Sequence, residues 1–271
     1  MSAHALPSTA WPSFTELQRI CVYRSLPRND TPTVRVVSVR SGYVLLLTYD
    51  DGSKYILKVS GDAGTEEIES EFAALGALGS RYSHRVTAFT SEEDTAAICL
   101  KWVDGTSIST RWFEGPSLDA AQRRIDLRLA AQELSLVHDA GWVHGDLQPT
   151  HVRFDNDSAL LIDFGVAGSH GSPYGGGLIH YLAPEYASAL LSGEPATRTA
   201  AGDWYALLAS AFVSATRTTP VSYPEGAERA DRLSAIARGS IDPSAWDDPY
   251  ARELAHALLL PSEDRREWVM S

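Results

Sequence analysis

Between residues 33 and 60 the chain runs as three apolar bursts cut by turn-forming residues. Val34-Arg35-Val36-Val37-Ser38-Val39 comes first, Arg40-Ser41-Gly42 turns it, and Tyr43-Val44-Leu45-Leu46-Leu47-Thr48-Tyr49 follows. Asp50-Asp51-Gly52 is a strong hairpin signal, and Lys54-Tyr55-Ile56-Leu57-Lys58-Val59 is the third burst, so the stretch predicts a three-strand meander. Ahead of it, Ser13 and Glu16 fit a capping box and Leu17, Ile20, Cys21 and Leu26 recur at helical spacing. That predicts a helix over 13–25 behind a loose arm at 1–12. After the meander, Ile68, Phe72, Leu75 and Leu78 mark a helix over 65–78, and two further strands are expected near 85–90 and 95–102.

Beyond Gly105 the pattern turns helical. Residues 118–139 form one long amphipathic segment that stops at Gly141 as a helix C-cap. Val152-Arg153-Phe154 and Ala159-Leu160-Leu161-Ile162, around the turn-former Asp155-Asn156-Asp157-Ser158, read as a hairpin. The region 216–246 reads as irregular loops and a short helix without evident chemistry.

Two carboxylates flank that hairpin, Asp146 at its entrance and Asp163 at its exit. A hairpin can bring its ends together, and two converging carboxylates suit a magnesium ion shared with phosphate oxygens. A second candidate pair lies upstream. Glu71 falls within the apolar stripe of its helix, three residues after Ile68 and four before Leu75, and a buried carboxylate needs a partner. Lys58 on the third strand is the natural one; Glu67, one turn earlier, is the alternative to Glu71. Read singly, Lys58 is an ordinary strand lysine and Asp146 an ordinary turn or cap aspartate; their company separates the readings.

Composition narrows the class. The chain has 271 residues and a formal net charge of −12, which argues against nucleic-acid and anionic-membrane partners, whose affinity comes from Lys and Arg. No stretch is apolar enough to span a bilayer, and the first residues lack the basic and apolar blocks of a signal peptide. Cys21 and Cys99, the only two cysteines, sit in apolar contexts and read as reduced core thiols in a cytoplasmic protein.

The run His144-Gly145-Asp146-Leu147-Gln148-Pro149-Thr150-His151, with Asp163-Phe164-Gly165 beyond, resembles the catalytic loop and metal-binding segment of the protein-kinase-like superfamily. Gly145 stands where that family has Arg, and His151 where it has Asn. Tyr181-Leu182-Ala183-Pro184-Glu185 resembles the element closing a protein-kinase activation segment, and Ala201-Gly202-Asp203-Trp204-Tyr205 the following helix, whose aspartate supports the loop. Arg265 is the expected ion-pair partner of Glu185. The resemblance covers residues 33–267 and implies an α+β, bilobal protein-kinase-like fold. Its parts would be an arm and extra helix (1–32), an N-lobe of antiparallel sheet plus one helix (33–103) and a mostly helical C-lobe (104–271).

The resemblance also implies roles. Asp146 would accept the proton of an acceptor hydroxyl, and Lys58, held by Glu71, would fix the phosphates of ATP. Asp163 would bind Mg2+ with His151 beside it; imidazole in place of an amide oxygen brings Mn2+ into consideration. The turn at Arg40, Ser41 and Gly42 would cover the phosphates, although only one of the family's three glycines is present. The backbone of Lys101, Trp102 and Val103 would meet adenine, an ordinary strand end being the plainer reading. With Gly145 in place of the arginine and Gly175-Gly176-Gly177 at the segment's centre, phosphorylation control through Ser169, Ser172 or Tyr174 is not expected.

Three functions remain open. The leading one is a Ser/Thr kinase of bacterial type acting on a protein or precursor peptide; an acidic chain would suit a basic peptide, and would also suit an aminoglycoside. By analogy with lanthipeptide-type pathways, a separate lyase would be its partner enzyme. The second is a small-molecule kinase of the aminoglycoside phosphotransferase type, against which Ala183-Pro184-Glu185 counts. The third is a catalytically silent kinase-like binding partner, for which His151 and the poor glycine turn count.

Overall fold

The structure is a computed structural model that describes residues 11–61, 64–114, 118–155 and 157–271. The expected arm therefore lies, apart from residues 11 and 12, outside the described residues, as does Asn156 of the hairpin turn. The chain divides into two compact units, Met1–Val103 and Asp104–Ser271.

The first unit is a five-stranded antiparallel sheet with a helix on each face. α1 (Glu16–Ser25) precedes β1 (Thr33–Val39), β2 (Gly42–Thr48) and β3 (Lys54–Ser60). Then come α2 (Thr65–Ala77), the single-turn α3 (Ser80–Ser83), β4 (Val86–Glu92) and β5 (Thr95–Lys101). The strand order is β1-β2-β3-β5-β4.

Strand pleating sorts the side chains. Alternate residues Leu45, Leu47, Tyr49, Leu57, Val59, Ala97 and Cys99 join Phe14, Cys21 and Val22 in one core, so α1 covers that face of the sheet. Lys58, between Leu57 and Val59, is left on the other face, where α2 lies. α1 begins three residues later than the sequence predicts, because Thr15 and Gln18, rather than Ser13 and Glu16, form the capping box. Buried polar contacts fasten it: Gln18 Nε2 donates to the Ser60 carbonyl at 2.7 Å, and Ser25 Oγ to that of Ala97 at 3.3 Å. Cys21 and Cys99 are both buried and free.

On α2 the buried residues are Ile68, Glu71, Ala74 and Leu75. Phe72, expected in the stripe, instead is exposed and stacks on Phe89 with ring centroids 4.0 Å apart. The inward stripe is therefore centred on Glu71.

The second unit is mostly helical. β6 (Thr106–Ser107) is followed by a π-helical turn at Thr110–Glu114, α4 (Ala120–Asp139), β7 (Trp142–Val143), β8 (Val152–Asp155), β9 (Ser158–Leu161) and β10 (Gly168–Ser169). After a 3-10 turn at Ile179–Tyr181 come α5 (Pro184–Ser192), α6 (Ala200–Thr216) and α7 (Arg229–Arg238). A further 3-10 turn at Pro243–Ala245, α8 (Pro249–Leu258) and α9 (Arg265–Met270) complete the unit. β8 pairs with β6 and β9, and β7 with β10. Gly141 sits at φ +81° just past α4, where a residue with a Cβ would be strained. α6 is buried nearly all round, and α8 packs on it within a common core. The fold is α+β, with an antiparallel sheet first and a helical region second, consistent with a bilobal kinase-like fold. Among the described residues no helix is long and apolar enough to cross a membrane.

Candidate active site

In the first unit the structure brings Lys58 and Glu71 together, Nζ to Oε2 at 2.6 Å, with Glu71 at 1% exposure. Strand alternation points Lys58 at α2, and the helical period points Glu71 back. Arg85 is buried nearby; burial lowers its pKa while the charge of Glu71 raises it. Glu67, the other candidate, accepts instead from Ser41 Oγ at 2.7 Å.

That contact draws the β1–β2 turn toward α2. The turn is only Arg40 and Ser41 between the strands, and the Ser41 carbonyl accepts from the Gly61 amide at 2.7 Å. Glycine at 42 is dictated by crowding, since a Cβ there would stand 2.1 Å from the Val59 carbonyl oxygen. Arg40 is exposed. The turn is compact and fastened rather than a long flap.

At the end of β5 the expected adenine-facing backbone is partly spent. The Lys101 amide donates to the Arg85 carbonyl at 2.8 Å, and that of Trp102 to Lys54 at 3.0 Å. Two amides of that backbone thus continue the sheet's pairing past β5. Only the Val103 amide lies beyond these bonds.

In the second unit the loop before β8 is held from beneath by α6. Asp203, 2% exposed, accepts the backbone amide of His144 at 2.8 Å and that of Gly145 at 2.9 Å, and lies 2.9 Å from His138 Nε2. Gly145 has φ +78° there, which suits glycine. His144 points into the core and donates Nε2–H to the Ile162 carbonyl at 3.1 Å, which spans the base of the hairpin. Burial pushes its pKa down to about 4, against an opposing pull from Asp203.

The hairpin brings both carboxylates to one imidazole. His151 Nδ1 lies 2.8 Å from the Asp146 carbonyl oxygen, which can only accept, so Nδ1 carries the proton. Its Nε2 is 3.3 Å from Asp163 Oδ2, and its Nδ1 is 3.8 Å from Asp146 Oδ2. Asp163 takes φ +68°, a left-handed conformation unusual outside glycine, which aims its carboxylate. The spacing of Nε2 and Oδ2 is near the ~3 Å between adjacent corners of an octahedron with bonds of about 2.1 Å. One oxygen and one imidazole nitrogen, the latter oriented by a bond from its other nitrogen, fit a divalent cation. Among the described residues no group of three or more His, Cys, Asp or Glu could hold a metal, so further ligands would be phosphate or water oxygens.

Asp146 is surrounded by partners the sequence did not point to. Its Oδ1 accepts the Leu178 amide at 3.1 Å, and its Oδ2 the Gln148 side-chain amide at 3.4 Å. The same Gln148 nitrogen is 3.0 Å from His151 Nε2. Burial raises the pKa of Asp146, while His151 pulls it down. The segment that covers it ends in the expected ion pair, Arg265 NH1 to Glu185 Oε1 at 2.7 Å. No sequence signal marks the Leu178 contact, because a backbone amide carries no residue identity. Gln148 could have been found only from its place within the loop.

No protein-family model matches this chain. A stretch of 106 residues is 28% identical to the serine/threonine-protein kinase pkn2 of Myxococcus xanthus. It takes in 38% of this chain and 13% of that protein, so the match spans a small part of its relative's length. The likeness supports a kinase-like family and kinase-like phosphotransfer, and reaches no finer than that.

Proposed function

We propose that this chain transfers the γ-phosphoryl group of ATP to a Ser or Thr hydroxyl of a protein or peptide. The observation that carries the reading is the convergence of Asp146 and Asp163 on His151, on a loop fixed from below by Asp203. Phosphoryl transfer asks little covalent chemistry of a protein; positioning and charge stabilisation do most of it. Asp146 orients the acceptor hydroxyl and takes its proton as the new O–P bond forms and the γ-phosphate's bond to ADP breaks. A carboxyl whose pKa is raised by burial is the better base for that proton. Lys58, held by Glu71, carries the charge of the nucleotide phosphates. Asp163 and His151 would hold the divalent cation, Mg2+ or Mn2+, which would neutralise phosphate charge.

The ion pair Glu185–Arg265 supports a protein-kinase type of activation segment over a small-molecule phosphotransferase. The net charge of −12 suits a basic acceptor peptide as it suits a cationic aminoglycoside, and a precursor peptide processed afterwards by a lyase is the finer form of this reading. A second reading, a silent nucleotide-binding or scaffolding partner, draws on the committed Lys101 and Trp102 amides. The deciding experiment incubates the chain with ATP, either metal and a library of Ser/Thr peptides, read by mass spectrometry. Phosphopeptides lost in Asp146→Asn support the transfer; nucleotide binding without any phosphopeptide favours the silent partner. Modified aminoglycoside without modified peptide overturns the choice of acceptor.

A further inference from the structure

Arg198 lies in the turn before α6 and touches nearly every part of the segment that follows Asp163-Phe164-Gly165. Its backbone forms a short ladder with that segment: the Arg198 amide donates to the Ser172 carbonyl at 2.8 Å, and its carbonyl accepts from Gly171 at 2.9 Å. The Tyr174 amide extends the ladder to the Ala196 carbonyl at 2.8 Å, and Pro173 is bridged to Thr197.

The side chain then ties the start of the segment to its middle. Nε and NH2 donate to the Val166 carbonyl at 3.1 and 3.0 Å. NH1 donates to Ser172 Oγ at 3.1 Å and to the Pro173 carbonyl. Four of the five N–H donors of a guanidinium are therefore taken by uncharged oxygens. Glycine at 168 leaves it room, since a Cβ there would stand 2.9 Å from its Cζ, and Gly145 lies within ordinary contact of its Nε. So the cation sits beside the position where the resemblance expects a loop arginine, but arrives from a different element.

We propose that Arg198 is a positioning residue that locks residues 166–178 in place without phosphorylation, and so keeps the Leu178 amide on Asp146. A loop arginine that reads a phosphate needs the phosphate to order its segment. Here neutral oxygens fill the fork, and backbone hydrogen bonds tie residues 171–174 to 196–198. The link to turnover rests on the reading of Asp146 as the proton acceptor; the lock itself does not.

The test is hydrogen exchange read by mass spectrometry on the full chain: wild type, wild type after phosphatase, Arg198→Ala, Arg198→Lys and Gly168→Ala. In Arg198→Ala the amides of 166–178 are expected to exchange about tenfold faster or more, with those of α6 and the β8–β9 hairpin unchanged. Arg198→Lys recovers little of this, because one ammonium cannot reach both Val166 and Ser172. Gly168→Ala, which keeps the charge and displaces the fork, loosens the same stretch and guards against misfolding of the first variant. Phosphatase leaves wild type unchanged. In a turnover assay the loss in Arg198→Ala falls on kcat rather than on the KM for ATP. Unchanged exchange at 166–178 in both Arg198→Ala and Gly168→Ala overturns the lock, and so does a wild type that loosens on phosphatase treatment. Absence of turnover in every sample would count against the phosphotransfer reading, while the exchange data would still judge Arg198.

Discussion

His151 Nε2 lies 3.3 Å from Asp163 Oδ2, while the proton on its Nδ1 is committed to the carbonyl of Asp146. Gln148 Nε2 lies 3.0 Å from the same His151 Nε2, so amide and carboxylate meet one edge of the ring. Imidazole is a softer donor than an amide oxygen and so favours transition ions over magnesium, Mn2+ least strongly among them. His151→Asn is expected to weaken Mn2+ binding relative to Mg2+ in the presence of ATP. Competition titration followed by the electron paramagnetic signal of Mn2+ reads the ratio. A ratio that does not move removes His151 from the metal's surroundings.

Glu71 is 1% exposed and its carboxylate lies 2.6 Å from Lys58. Removing one member of a buried pair leaves a charge with poor compensation, typically at a cost of about 3–5 kcal/mol. Lys58→Met should fall near the lower end, since the positive charge of Arg85 also acts on Glu71. The double variant Lys58→Met, Glu71→Leu should recover most of the loss. Urea unfolding of the four proteins tests this; a double variant as unstable as the sum of the singles would contradict it.

The buried His144 gives stability a pH dependence. Its folded pKa of about 4 lies below the ordinary value of 6.5, so the unfolded chain takes up a proton first as pH falls. Stability from this group is complete above about pH 6.5 and is lost as pH drops toward 4, by roughly 3 kcal/mol. His144→Gln keeps a donor for the Ile162 carbonyl and cannot titrate, so its unfolding free energy should fall less steeply over that window. Equal slopes in the two proteins would refute the assignment.

Gln18 joins α1 to the sheet through the carbonyl of Ser60. Gln18→Ala leaves that buried acceptor without its donor and removes half of the capping box, a loss of about 1–3 kcal/mol. Thermal unfolding should show it, and the variant Gln18→Glu should not rescue it, because a carboxylate cannot donate. Full stability in either variant would mean that α1 is held by its apolar face alone.

What the sequence by itself determined were features with a local period. Apolar bursts between turn-formers marked the three strands, and the 3.6-residue repeat put Glu71 inward. The order of His144, Asp146 and Asp163 around a hairpin placed two carboxylates at neighbouring ends. The tertiary structure decided whatever depends on partners distant along the chain. α1 could have packed on the sheet or formed an interface, and the buried Gln18 and Ser25 contacts place it on the sheet. Phe72 matched the apolar stripe, yet Phe89 on β4 drew it to the edge. Arg198 stands 32 residues from Val166, and its partners are backbone carbonyls. Every residue has such a carbonyl, so composition and period carry no record of which ones an arginine will find; only the folded path of the chain selects them.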